Sequence, residues 1–109
     1  MKHIMGIGSA SKLSNVEEKD IQPNAVDLRI GSVFKISDAE FVIDEQKKVH
    51  RGSSKMETDD QEYYNLQPGH YEVIMANEIV VGDNEAGWVI TRSTLNRNGV
   101  FLTSGLYDS

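Results

Sequence analysis

The stretch Arg92-Ser93-Thr94-Leu95-Asn96-Arg97-Asn98-Gly99 gathers guanidinium and hydroxyl groups in one short segment, a composition suited to holding a small anion. A single helical turn with Ser93 or Thr94 near its N-cap would expose unpaired backbone N–H groups that attract phosphate. The Arg92 guanidinium can add two parallel charge-assisted hydrogen bonds to the same group. The same residues also fit a capped turn with solvent-facing arginines. Downstream lies Gly105-Leu106-Tyr107-Asp108-Ser109, whose Asp108 supplies a carboxylate expected to be buried, or simply closes a turn, for which Asp-Ser is a common composition. A third acidic position, Asp27, is flanked by Val26 and Leu28 and points away from the face they occupy, toward a cleft or an interface. Asp27 and Arg29 share a face, so an ion pair between them on a solvated strand is the alternative.

The elements that must position these residues read as β-strands. Val26, Leu28 and Ile30 alternate with Asp27 and Arg29, the period of a half-buried strand. Phe41-Val42-Ile43, Tyr71 to Ala76, Ile79-Val80-Val81, Trp88 to Thr91 and Val100-Phe101-Leu102 are short runs rich in β-branched and aromatic residues. Gln67-Pro68-Gly69-His70 suits a type II turn, with Pro68 presetting the first central residue and Gly69 supplying positive φ at the second. The polar, patternless segment from Asp44 to Gln61 is expected to be an exposed, mobile loop. Only Ser11 to Lys19 and the turn after Ser93 have a composition that allows helix. The chain is therefore predicted to be a single all-β domain, residues 1–109, of many short strands with one short helical turn.

Composition limits the chemistry. Without cysteine there is no disulfide, thiolate nucleophile or cysteine-ligated zinc. No apolar stretch approaches the roughly twenty residues of a membrane span, so the chain is expected to be soluble and cytoplasmic, with no membrane partner. With 17 acidic against 11 basic side chains, the net charge of −6 repels a polymeric nucleic acid over most of the surface, while a small anion remains possible where arginines or a metal offset the field. His3, His50 and His70 fall in a terminus, a loop and a turn without the companions of a zinc site, and are expected to be solvated. Gly6-Ile7-Gly8-Ser9-Ala10-Ser11 lacks the lysine-serine ending of a P-loop and is read as a flexible lead-in. No Gly-x-Ser-x-Gly elbow is present.

Taken with Ile21-Gln22-Pro23-Asn24-Ala25-Val26-Asp27-Leu28-Arg29-Ile30-Gly31, the two C-terminal segments resemble the first three motifs of the dUTPase and dCTP deaminase superfamily. The resemblance covers nearly the whole chain. Arg92, Ser93 and Leu95 match the second motif of both families, and Arg97 matches the deaminase form better. Thr94 replaces the usual Gly or Ser. Gly105 to Ser109 is similar to the third dUTPase motif, and its spacing from Gly99 fits the dUTPase hairpin, whereas dCTP deaminases place more residues there.

The resemblance implies a dUTPase-like fold, of β-clip or jelly-roll-like type, and a homotrimer with sites between subunits. It implies hydrolysis of dUTP, or a related deoxynucleoside triphosphate, to the monophosphate and pyrophosphate. By the match, Arg92, Ser93, Thr94 and Arg97 hold phosphates, Gly105, Leu106 and Tyr107 bind the nucleoside, Asp108 is the base for the attacking water, and Asp27 helps hold Mg²⁺. Phosphoryl transfer to water needs such a set: an in-line nucleophile, neutralised phosphate oxygens and a positioned proton acceptor. The runner-up is a dCTP deaminase, possibly bifunctional. The resemblance also implies an aromatic residue, a fourth motif, further strands and a Gly-rich arm beyond Ser109. Either this sequence is part of a longer enzyme, and by itself inactive or weak, or it is a non-catalytic nucleotide-binding or assembly module.

Overall fold

The computed structural model describes residues 3–109. The protein is all-β: its strands form small antiparallel sheets, with one short α-helix and one 3-10 turn among the described residues. The chain divides into two units, Leu28–Ala76 and Met1–Asp27 together with Asn77–Ser109. In the second of these lie β1 (Lys12–Leu13), β7 (Ile79–Val80), β8 (Ala86–Gly87), the helix α1 (Ser93–Arg97) and β9 (Tyr107–Asp108). The unit Leu28–Ala76 holds β2 (Ile30–Ile36), β3 (Val42–Ile43), β4 (Lys48–Val49), β5 (Ser53–Lys55) and β6 (Tyr71–Met75).

Within Leu28–Ala76, β2 is the central strand of the sheet β5-β2-β6. Val33 faces Val73 across the β2–β6 ladder and is 1% exposed, the only buried apolar side chain among the described residues. Burial along β6 alternates residue by residue, as the period-two pattern of Tyr71 to Met75 predicts. A β-bulge interrupts the ladder between Ile30 and Ser32, at Gly31, where a Cβ would stand about 3.0 Å from the Ala76 nitrogen and the Ile74 oxygen. Glycine is the residue that permits this approach of two backbones.

The polar segment from Asp44 to Gln61 is not one structureless loop. It contains β4, which pairs with β3, and β5, which pairs with β2 in the register Phe34 with Lys55 and Ile36 with Ser53. β5 is an edge strand with all three residues exposed, held through backbone hydrogen bonds, so hydrophobic patterning leaves no trace of it. Gly69 is not at positive φ, which removes the type II turn expected there. The Lys35 ammonium crowds the space over Gly69 and lies 4.7 Å from the centre of the Tyr71 ring, while the Tyr71 hydroxyl donates to the Gln67 carbonyl at 2.7 Å.

In the other unit the Ser11 to Lys19 stretch is not a helix but β1 followed by a 3-10 turn over Glu18–Asp20. Pairing of β1 with β7 draws it out as strand, in the register Lys12 with Val80 and Leu13 with Ile79. The buried Asn77 secures that pairing by donating from Nδ2 to the carbonyls of Ser14 and Asn15 at 2.8 and 3.2 Å. Ala10 and Ser11, at the end of the expected flexible lead-in, are tied down: the Glu85 carboxylate accepts from the Ala10 N–H at 2.9 Å and the Ser11 hydroxyl at 2.8 Å. Trp88 to Thr91 and Val100 to Leu102, expected as strands, carry no ladder. Their side chains stay open, with Ile90 70% and Phe101 88% exposed. No helix of the described residues is long and apolar enough to cross a membrane.

Candidate functional site

The first motif forms a tight turn and not the regular strand its alternation suggests. Only Ile21 and Val26 pair, as an isolated antiparallel bridge, and the Gln22 N–H donates to the Ala25 carbonyl at 2.9 Å across Pro23-Asn24. Proline at the first central position presets the φ that such a turn needs. The Asp27 N–H donates to the Asp20 carbonyl at 2.8 Å, so backbone hydrogen bonds hold Asp27 just past the turn. The regular strand begins only at Ile30.

His3 fastens the same turn. Its Nε2 lies 2.7 Å from the Gln22 carbonyl oxygen and 3.1 Å from that of Ala25, both pure acceptors, so Nε2 carries the proton. Its Nδ1 accepts from the Met5 N–H at 3.1 Å. The expectation of a solvated terminal histidine is thereby corrected for His3, whose ring is used at both nitrogens.

The second motif folds as anticipated over Ser93–Arg97, and its ending explains why. Gly99, at φ 75°, donates to the Asn96 carbonyl at 3.1 Å, and Val100 donates to the Leu95 carbonyl at 3.0 Å. This is the Schellman arrangement, in which a left-handed glycine turns the chain and satisfies the last helical carbonyls. The N-cap is Arg92, one position earlier than expected, with no capping side chain. Ser93, Thr94 and Arg97 are exposed, and neither the Ser93 hydroxyl nor the Arg97 guanidinium is engaged by any described residue.

Arg92 and Asp27 meet. Arg92 Nη1 donates to Asp27 Oδ2 at 2.7 Å, a charge-assisted bond between segments 65 positions apart. The same Asp27 oxygen accepts from Gln22 Nε2 at 3.2 Å, and that amide also donates to the Lys19 carbonyl at 3.1 Å. The expected alternative partner of Asp27, Arg29, is thus replaced by Arg92. The Arg92 side chain is 71% exposed and that of Asp27 21%, so the carboxylate is the fixed member and the guanidinium the accessible one. Bound through one nitrogen, the guanidinium keeps further N–H groups for an incoming anion.

The third motif ends in β9, where Asp108 pairs with Ala86 and Tyr107 with Gly87. Ser104 steadies its approach, accepting from the Val89 N–H at 3.2 Å and donating to the Gly105 carbonyl at 3.0 Å. Gly105, Leu106, Tyr107 and Asp108 are exposed, which corrects the expectation of a buried Asp108, since the two-residue β9 pairs only through its backbone. The Asp108 carboxylate makes no bond to Asp27, Arg92 or any other described side chain. Among the described residues no group of three or more His, Asp or Glu side chains could hold a metal ion by itself. Sequence reasoning missed Gln22 and His3 as neighbours of the motif. The Gln22-Pro23-Asn24-Ala25 turn, five positions before Asp27, was the available signal.

A family model described as dCTP deaminase-like matches residues 3–109. This chain belongs to the dCTP deaminase-like family. Within it, the chain is 35% identical over 103 residues to the deoxyuridine 5'-triphosphate nucleotidohydrolase of Methanocaldococcus jannaschii, covering 92% of this chain and 65% of that protein. It is 30% identical over 104 residues to a probable deoxyuridine 5'-triphosphate nucleotidohydrolase of Halobacterium salinarum, covering 92% of this chain and 63% of that protein. A probable deoxyuridine 5'-triphosphate nucleotidohydrolase of Aeropyrum pernix is 30% identical over 90 residues, 81% of this chain and 54% of that protein. This dCTP deaminase-like chain therefore spans somewhat less than two thirds of the length of the curated relatives it matches. No solved structure matches it significantly.

Proposed function

We propose that this chain serves a dUTP diphosphatase, which hydrolyses dUTP to dUMP and pyrophosphate. The observation that carries the reading is the Asp27 to Arg92 contact, which joins the first and second motifs through the two residue types that a metal-bound triphosphate needs. The names of the relatives from Methanocaldococcus jannaschii and Halobacterium salinarum support the substrate.

In this reading Arg92, Ser93, Thr94 and Arg97 receive the phosphates, and Gly105, Leu106 and Tyr107 receive the nucleoside. Water attacks the α-phosphorus, the bond to the bridging oxygen breaks, and pyrophosphate leaves. Asp108 orients that water and takes its proton, a role its exposed carboxylate, without a partner among the described residues, can fill. The residues fit Mg²⁺ only as an ion carried by the triphosphate. Asp27 Oδ2 is occupied by Arg92 and Gln22 while Oδ1 has no partner among the described residues, and one carboxylate suffices for an ion that keeps several of its waters. When bound, Mg²⁺ supplies neutralisation of the phosphate charge.

A homotrimer belongs to the same proposal. Ile90, Phe101 and Leu106, exposed by 70%, 88% and 65%, supply apolar surface for subunit contact. A second reading, deamination of dCTP, is favoured by the description of the family. The two are separated by assaying the full-length protein for pyrophosphate release from dUTP and for ammonia release from dCTP. Magnesium-dependent pyrophosphate release, lost in Asp108→Asn, is expected. Ammonia release without pyrophosphate would replace the first reading by the second.

A further inference from the structure

We infer that Gln22 is a positioning residue, which orients the Asp27 carboxylate so that Arg92 is presented to the nucleotide phosphates. The inference rests on the reading of Arg92 as a phosphate-binding residue.

A carboxylate on a short side chain can turn about χ2, and an exposed arginine has many rotamers. Something must select one arrangement if the guanidinium is to be ready for an anion. Here Gln22 Nε2 donates to Asp27 Oδ2 at 3.2 Å, the very oxygen that accepts Arg92 Nη1 at 2.7 Å. The amide is itself restrained, because Nε2 also donates to the Lys19 carbonyl at 3.1 Å. The backbone beneath it is fastened at its carbonyl by His3 and at its N–H by Ala25. Both donors thus converge on one carboxylate oxygen and leave Oδ1 without a partner among the described residues. Gln22 has no charge and is not itself offered as a nucleotide contact. Its effect passes through Asp27.

The test is calorimetric binding of an α,β-imido analogue of dUTP, which cannot release pyrophosphate, to the full-length protein and to Gln22→Met, Asp27→Ala and the double variant. Loss of one neutral-to-charged hydrogen bond in a polar setting should weaken binding about three- to tenfold in Gln22→Met. In the Asp27→Ala background the same change should cost nothing further, a coupling that a purely structural role would not produce. Should Gln22→Met fail to fold, Gln22→Glu decides, since it keeps the shape, removes the donor and adds repulsion, and should weaken binding at least as much. Wild-type affinity in a folded Gln22 variant, with binding lost in Arg92→Ala, would overturn the inference and leave the proposed function standing. An equal loss with and without Asp27 would overturn it as well. Absence of analogue binding by the wild-type protein would remove the proposed function and this inference with it.

Discussion

Arg92 Nη1 stands 2.7 Å from Asp27 Oδ2, so the residue expected to hold phosphate is restrained by the residue expected to face the metal. Under the proposed function, that one ion pair would couple anion binding to cation binding. With Arg92 largely exposed, the pair contributes little to stability by itself, and its value lies in limiting where the guanidinium can go.

Arg92→Lys tests whether geometry matters beyond charge. Lysine keeps the charge but cannot hold Asp27 through one nitrogen and a phosphate through others in a fixed plane. Binding of the imido analogue should weaken about tenfold or more while the melting temperature hardly moves. Equal affinity in the lysine variant would show that a point charge is enough.

Asp108→Asn separates binding from chemistry. The amide keeps the shape of the side chain but accepts a proton poorly, so turnover of dUTP by the full-length protein should fall by about 10²–10⁴ with KM little changed. A rise in KM at constant kcat would instead make Asp108 a binding residue.

Gly99→Ala addresses the end of α1. A Cβ there meets nothing within 4 Å, so the whole penalty is the cost of holding alanine at φ 75°. A loss of about 1–2 kcal/mol is expected, visible as a melting temperature lower by several degrees. An unchanged melting curve would mean that the left-handed turn is not maintained in solution.

Asp59 sets a pH-dependent element in the other unit. Its carboxylate accepts from the Tyr63 N–H at 2.9 Å, from Asn65 Nδ2 at 2.9 Å and from the Gln61 N–H at 2.9 Å. The Tyr63 bond first, and then the Asn65 and Gln61 bonds, hold its pKa below the ordinary value of 3.8. Because the folded value is the lower one, the stabilisation is present above about pH 3.8 and disappears as pH falls through the depressed value. Amide exchange at Gln61 and Tyr63 should accelerate relative to the intrinsic rate in that acid range, and Asp59→Asn should already show the faster exchange at pH 5. Protection independent of pH in the wild-type protein would count against the carboxylate.

Much of this was legible in the chain. The alternation of Tyr71 to Met75 announced a half-buried strand, because side chains on a strand point alternately to opposite faces. The Ser93-Thr94 start announced a helical turn, because hydroxyl side chains favour the opening of a helix, and the left-handed Gly99 that ends it came from the structure. These are local properties, set by neighbours in sequence. β5 was hidden because its ladder is made by backbone groups that every residue carries. Trp88 to Thr91 misled because β propensity describes how side chains fit a pleated surface and cannot supply the partner strand.

By itself, the sequence determined the residue types of the candidate site, the helical turn after Arg92 and the all-β character, since periodicity, capping and composition act over a few residues. Only the tertiary structure decided that Asp27 pairs with Arg92 and not Arg29, and that Gln22 and His3 brace it. The Asp27–Arg92 and His3–Gln22 contacts join positions far apart in sequence. Their geometry depends on where backbone pairing delivers each segment, which no local pattern encodes.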